Sequence, residues 1–115
     1  MIILKEKIDK QKLINIENET FFEDMIKCVV DIDKGIVAVN AEFHSDLEDM
    51  LIRCGSQQNS LYGINILFDE WEIEYDSMIN PPRNREAGFP RAGRYVADPI
   101  ARERIEEIVK RWIEI

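Results

Sequence analysis

The sequence lacks the residue patterns that usually mark catalysis. Its 115 residues include one histidine and two cysteines, with no CxxC pair and no HExxH zinc motif. The phosphate-binding P-loop, the dinucleotide-binding GxGxxG loop and the GxSxG nucleophile elbow are also absent. We therefore predict no metal site and no cofactor.

Long hydrophobic runs are missing as well. After four apolar residues the chain turns charged at Lys5, which is too early for a signal peptide, and no run approaches the ~18 residues of a membrane span. Cys28 and Cys54 both lie in apolar stretches. We expect two buried, unpaired thiols rather than a disulfide, and hence a cytosolic protein with no membrane contact.

The charge balance is acidic but uneven. A net charge of −8 disfavours general binding to nucleic acid or anionic membranes, and an apolar fraction of 45% suits one globular domain over residues 1–115. Residues 80–97 differ from the rest, because four arginines stand there against Glu86 alone, a local net charge of +3. Such a basic segment on an acidic body can mark an interaction site.

Alternating apolar residues predict two β-hairpins. The first covers 25–43, with a turn at Gly35, and the second joins strands at Leu61–Phe68 and Glu72–Ile79. Met1–Leu4 can add an edge strand. Clean alternation of this kind is typical of an antiparallel sheet with one face in water.

Helical spacing predicts three helices around these hairpins. The first covers about 10–22 behind an Asp9 N-cap, and the second begins with a capping box of Ser45 and Glu48. The last follows Asp98-Pro99, a strong N-terminal signal. Residues 80–97 have no period and hold three of the four prolines, so they are predicted to be a long loop.

The predicted order is therefore β-α-ββ-α-ββ-α. It indicates an α+β fold in which an antiparallel sheet is covered on one face by three helices.

The only histidine forms the first candidate site. If the return strand of the first hairpin extends to residue 44, alternation places Glu42 and His44 on one face. A carboxylate beside an imidazole suits acid–base catalysis. The alternative is a histidine at a strand end that is hydrogen-bonded for structural reasons.

Polar residues near the basic segment form the second candidate site. Arg83 and Arg85 flank Asn84 after a predicted strand, where two guanidinium groups could bind one small anion. The alternative is a solvated loop. Asn65, Ser77 and Asn80 are further candidate ligand contacts, although a polar side chain that satisfies a turn explains them equally well.

Several short motifs resemble those of a family of small prokaryotic proteins known only as a domain of unknown function. The resemblance covers most of the chain and implies kinship without an activity. The matching segments are Val29–Ile32, Glu42–His44, Gly55–Gln58, Gly63–Asn65, Asp76–Asn80, Asn84-Arg85 and Asp98-Pro99.

These observations favour a small cytosolic binding or interaction module. It would associate with itself or with another protein through an exposed sheet edge or the apolar surface near Trp71. The alternative is a small enzyme or an anion-binding protein that uses Glu42 and His44 together with Arg83 and Arg85. The two hypotheses differ in one observation, which is whether His44 and the arginines meet in one pocket.

Overall fold

The computed structural model describes residues 1–115 and contains four helices and seven short strands. The strands are β1 (Ile2–Ile3), β2 (Ile8–Asp9), β3 (Met25–Asp31), β4 (Ile36–Val39), β5 (Leu61–Leu67), β6 (Glu72–Glu74) and β7 (Ile113–Glu114). The helices are α1 (Lys10–Glu17), α2 (His44–Arg53), α3 (Asn80–Glu86) and α4 (Pro99–Trp112).

Five strands form an antiparallel sheet in the order β1-β4-β3-β5-β6, which confirms the predicted α+β class. The first hairpin turns at Gly35, whose φ of 69° is the left-handed conformation that glycine adopts most easily. The buried Asp31 carboxylate accepts the backbone N–H groups of Asp33 and Lys34 and so closes the turn. β1 lies at one edge, where the sequence placed it.

The helices cover both faces of this sheet, whereas the sequence indicated one. α1 and α4 pack on the face that carries Cys28 and Val30, and α2 packs on the opposite face, against Val29 and Leu61. The reason lies in the central strands, which are apolar on both sides. Burying only one side would have left several aliphatic side chains in water, at about 1.5–3 kcal/mol each.

A second, parallel pair of strands joins distant parts of the chain. Ile8 in β2 pairs with Ile113 in β7, and Asp9 pairs with Glu114. No local pattern predicted this pair, because two residues per strand are too few to show a period.

Several predicted boundaries need correction. α1 ends at Glu17 because Asn18 adopts a left-handed φ of 44°, and β4 ends at Val39 because Asn40 has a φ of 75°. β6 stops at Glu74 rather than residue 79. Cys54 is exposed beyond the C-terminal end of α2, whereas Cys28 is buried as predicted.

The predicted loop 80–97 also contains a helix, α3. Pro81 and Pro82 occupy its first turn, where a missing N–H costs no intrahelical hydrogen bond. The sequence analysis predicted a loop from the prolines and the missing period, although prolines at this position are compatible with a helix.

The N-cap of α4 has a measurable role. The Asp98 carboxylate accepts the N–H of Ile100 at 3.0 Å, as the sequence predicted. Asp98→Ala is expected to lower the free energy of unfolding by about 1 kcal/mol in urea denaturation. Glu103→Ala, an exposed change within the same helix, should alter it by less than about 0.5 kcal/mol. Equal effects of the two changes would contradict the capping role.

Candidate functional site

His44 is the first residue of α2 rather than the last residue of a strand. Because β4 already ends at Val39, the alternation that was to place Glu42 beside His44 does not apply. The Glu42 side chain is exposed, whereas the His44 ring is buried and its Nε2 lies 2.8 Å from the carbonyl oxygen of Ile64. The predicted pairing of Glu42 with His44 on one strand face is therefore wrong.

The predicted capping box at the start of α2 is also wrong. Phe43 is the N-cap residue, and no side chain caps the helix. Ser45 lies inside the first turn, and Glu48 instead forms an ion pair with Arg83 on α3. Glu48 therefore pairs with an arginine that is distant in the sequence and does not cap its own helix.

The His44 imidazole is neutral at physiological pH. Burial lowers the pKa of His44 to about 4, and the positive charge of Lys27 acts in the same direction. The hydrogen bond to Ile64, with smaller effects of Asn65 and Asp76, opposes this shift. Since a carbonyl oxygen can only accept, Nε2 carries the proton, and Nδ1 carries a lone pair that can accept a hydrogen bond.

This lowered pKa predicts how stability depends on pH. Between about pH 4 and pH 6.5 the unfolded chain binds a proton that the folded protein excludes. The free energy of unfolding therefore has its full value above about pH 6.5 and decreases as the pH falls to about 4. We expect His44 to lower the free energy of unfolding by about 3 kcal/mol over this pH range. The measurement compares the pH dependence of the unfolding free energy in the wild type with that in His44→Phe. As His44 is the only histidine, its NMR titration is unambiguous. A midpoint near 6.5 would contradict the burial argument.

Gly63 lies beneath His44 and Ser77. A Cβ atom at this position would come within 2.4 Å of the Ser77 Cβ and Oγ atoms and 3.1 Å of His44 Cδ2. The hydroxyl of the fully buried Ser77 accepts the N–H of Ile79 at 3.2 Å. Gly63 is therefore needed for close packing, and Ser77 holds the chain turn above it.

Two of the three buried asparagines, Asn80 and Asn84, hold the same part of the chain in place. Asn80 accepts the Gly63 N–H and donates to the carbonyls of Gly63 and Arg94. Asn84 donates to the carbonyls of Gly93 and Tyr95 at 2.8 and 2.6 Å. Both side chains thus satisfy backbone groups, which was the structural alternative for Asn80.

The two arginines predicted to bind one anion lie in different environments, since Arg83 is buried and Arg85 is exposed. Arg83 is 5% exposed and donates to Glu48 and to the carbonyl of Ile79, while Arg85 is exposed. Residues at i and i+2 of a helix face different directions, so α3 itself separates them. Arg83 and Arg85 do not meet His44.

A different cation from the basic segment lies near His44. A cleft of about 220 Å³ on the α2 face of the sheet, called the His44 cleft below, is formed by four parts of the chain. Its lining residues are Lys27, Phe43, His44, Ser45, Met78, Ile79 and Arg94. Both charged residues in this set are cations. The sequence hypothesis placed Arg83 and Arg85 opposite His44, whereas the arginine of residues 80–97 that lines this cleft is Arg94.

The cations of the His44 cleft are held in place by neighbours. Arg94 forms two contacts with the Asp76 carboxylate, at 3.1 and 3.2 Å, and the Lys27 ammonium lies 5.2 Å from the centre of the Phe22 ring. Asn65, opposite Lys27 on β5, donates to Glu74 at 2.8 Å. Sequence reasoning missed Lys27, although its cross-strand pairing with a candidate residue could have indicated it.

The protein is thus a small α+β domain with a cationic cleft on one face of its sheet. No group of three or more His, Cys, Asp or Glu side chains lies close enough to hold a metal ion. None of its helices combines the length and apolar character needed to cross a membrane.

The motifs that suggested a family are confirmed by comparison with family models. The chain belongs to the family described as "Protein of unknown function (DUF5674)", whose model matches residues 2–112. No curated protein and no solved structure matches the chain.

Proposed function

We propose that this protein is a binding module whose His44 cleft accepts a ligand with an anionic group next to an apolar group. The observation that carries the proposal is the charge of the cleft. Lys27 and Arg94 are both cationic, and no acidic side chain is among the lining residues. Asp76 pairs with Arg94 from outside the lining, whereas Lys27 forms no ion pair, although the whole protein has a net charge of −8. An anion would meet locally favourable charge there.

The apolar half of the ligand follows from the sides of the His44 cleft. Met78 is 76% exposed and Phe43 is 55% exposed, so both present apolar surface to water beside the cations. Covering such surface contributes about 25 cal/mol per Å² to association, before the entropic costs of binding are subtracted. A carboxylate attached to an aromatic or aliphatic group combines the two features, either as a free acid or as the last residue of a peptide.

Binding has more support than catalysis. A buried imidazole with a pKa of about 4 is a weak base at neutral pH, and the Ser77 hydroxyl is inaccessible. The enzyme alternative required Glu42 and His44 to face Arg83 and Arg85. Glu42 and Arg85 are exposed elsewhere, and Arg83 is bonded to Glu48.

We further propose that the module works in the cytosol of a prokaryote. The free thiols of Cys28 and Cys54 support a reducing compartment, and burial raises the pKa of the Cys28 thiol so that it stays protonated. The partner that presents the anionic group is another protein, a second copy or a small acid.

The test uses acetyl-phenylalanine as a probe and its amide as the uncharged control. The acid is expected to raise the melting temperature, and the amide is expected to have little effect, because only the acid can bind Lys27 and Arg94. The double variant Lys27→Gln/Arg94→Gln should weaken binding by about tenfold or more in calorimetry.

The matched control is Arg85→Gln/Arg91→Gln, which removes the same charge from exposed positions outside the cleft. It should leave the affinity within about twofold, as expected for distant screened charges. Equal responses to acid and amide, or an equal loss in the control variant, would refute the proposal.

A further inference from the structure

A larger groove lies on the opposite face of the sheet from the His44 cleft. It has a volume of about 370 Å³, runs between the edge strand β6 and α4, and is called the Trp71 groove below. Its lining residues are Trp71, Glu72, Ile73, Tyr75, Glu106, Lys110 and Ile115. The family motifs do not include this region, and the proposed function does not use it.

The apolar part of the Trp71 groove is built by aromatic and aliphatic side chains that are only partly covered. Trp71, Ile73, Tyr75 and Ile115 pack with one side against the core and keep the other side open. The Trp71 ring packs against Phe68 with centroids 5.4 Å apart. Trp71 also has a φ of 56°, an unfavourable conformation for a bulky residue, so the turn holds the indole at this position against a local cost.

The charged part of the Trp71 groove already holds ammonium groups of the protein itself. Lys110 donates to Glu106 at 2.7 Å, and the Lys10 ammonium lies 5.3 Å from the centre of the Trp71 ring. Further carboxylates surround the groove, because Glu72 lines it and Glu103 and Glu107 follow along α4. Carboxylates beside an aromatic face bind cations by ion pairing and by cation–π attraction.

We propose that the Trp71 groove binds an extended segment of a partner protein in which Lys or Arg alternates with apolar residues. Such a segment places successive side chains on opposite sides, so its apolar residues on the side of Ile73 can contact the groove while its cations on the other side lie over Glu72 and Glu74, which alternate with Ile73 along β6. β6 is an edge strand, and it can pair with the added segment.

A second copy of this chain is the less suitable occupant. If two β6 strands paired antiparallel about Ile73, Glu72 of one copy would face Glu74 of the other. Like charges directly opposite each other destabilise a strand pair, and glutamates on an edge strand are a common protection against self-pairing.

The experiment measures binding of three acetylated and amidated pentapeptides to the full chain by calorimetry. The probe is Lys-Leu-Lys-Leu-Lys, and the controls are Lys-Ser-Lys-Ser-Lys and Glu-Leu-Glu-Leu-Glu. The probe is expected to bind about tenfold or more tightly than the serine control, and the acidic control is expected not to bind.

Glu72→Gln/Glu74→Gln should weaken binding of the probe by about tenfold or more, since the two exposed carboxylates on the cation side of β6 lose their charge. The matched control is Glu42→Gln/Asp49→Asn, two exposed carboxylates outside the groove, and it should change the affinity by less than about twofold. Equal losses in both variants, or equal binding of the leucine and serine peptides, would reduce the effect to general charge attraction and overturn the proposal. Sedimentation tests the remaining occupant. If the protein forms a dimer that Glu72→Gln/Glu74→Gln makes more stable, and if dimerisation reduces peptide binding, the groove would be assigned to a second copy of the chain instead.

Discussion

Arg83→Met is expected to lower the free energy of unfolding by about 3–5 kcal/mol, the usual effect of removing one partner from a buried ion pair. Arg83 is 5% exposed and its partner Glu48 is 15% exposed. Without the guanidinium group, the half-buried Glu48 carboxylate has no counter-charge, and the Ile79 carbonyl loses a donor.

The double variant Arg83→Met/Glu48→Leu tests the reason for this loss. It removes both charges and fills a similar volume, so much of the stability should return, and the two changes should be strongly non-additive. The chain offers a matched control in the exposed pair Arg53–Asp49, with side chains 78% and 59% exposed. Arg53→Met should cost less than about 0.5 kcal/mol in the same denaturation experiment. If Arg83→Met cost no more than this control, the buried pair would not stabilise the contact between α2 and α3.

Asn80→Ala is expected to destabilise the protein by about 4 kcal/mol, because buried backbone groups that lose their partners cost about 1–3 kcal/mol each. The fully buried Asn80 side chain accepts from Gly63 N–H at 2.8 Å and donates at 3.0 Å to the carbonyls of Gly63 and Arg94. Water cannot replace the two buried hydrogen bonds to Gly63, whereas the Arg94 carbonyl still accepts the N–H of Ser77 at 3.1 Å.

Asn80→Asp separates the hydrogen bonds from the shape of the side chain. An ionised aspartate can accept from Gly63 but cannot donate to either carbonyl, so this nearly isosteric variant should be destabilised as well, and more strongly above the pKa of the new carboxyl. Asn59→Ala, on the surface, should stay within about 0.5 kcal/mol of wild type in urea denaturation. A stable Asn80→Ala variant would mean that the Asn80 hydrogen bonds are not needed to hold the segment after β6.

The two experiments also bear on the His44 cleft. Asn80 binds the backbone of Arg94, and Arg83 binds the carbonyl of Ile79, and both Arg94 and Ile79 line the cleft. Asn80 and Arg83 variants that lose these contacts should therefore weaken binding of acetyl-phenylalanine. The loss of affinity should exceed what the increased fraction of unfolded protein explains. Arg53→Met, which touches none of these residues, serves again as the control.

The local elements of the fold could be predicted from the sequence because their signals lie within a few residues of each other. The Asp98 cap with Pro99 and the buried stripe of α4 are examples, as are the β3–β4 turn at Gly35 and the strand β5. Each depends on backbone preferences and on burial of one periodic face, which neighbouring residues express directly.

The candidate site could be predicted only in part, since a polar side chain in a sequence does not reveal its partner. The sequence suggested Ser77, Asn80, Asn84 and Arg83 as candidate ligand contacts, and in the structure their side chains contact backbone groups and Glu48. Asparagine or arginine serves either purpose with the same chemistry. Only the three-dimensional arrangement distinguishes the two.

The sequence by itself determined the α+β class, the main strands, the capped helix α4 and the acidic surface, because these depend on local periodicity and composition. The tertiary structure decided which faces the helices cover and which cation stands beside His44. It places Lys27 and Arg94 in one cleft. It also pairs Glu48, which the sequence analysis assigned to a helix cap, with Arg83, 35 positions away. These outcomes depend on long-range packing and on the burial of charge, whose free energies are set by neighbours that lie far apart in the chain.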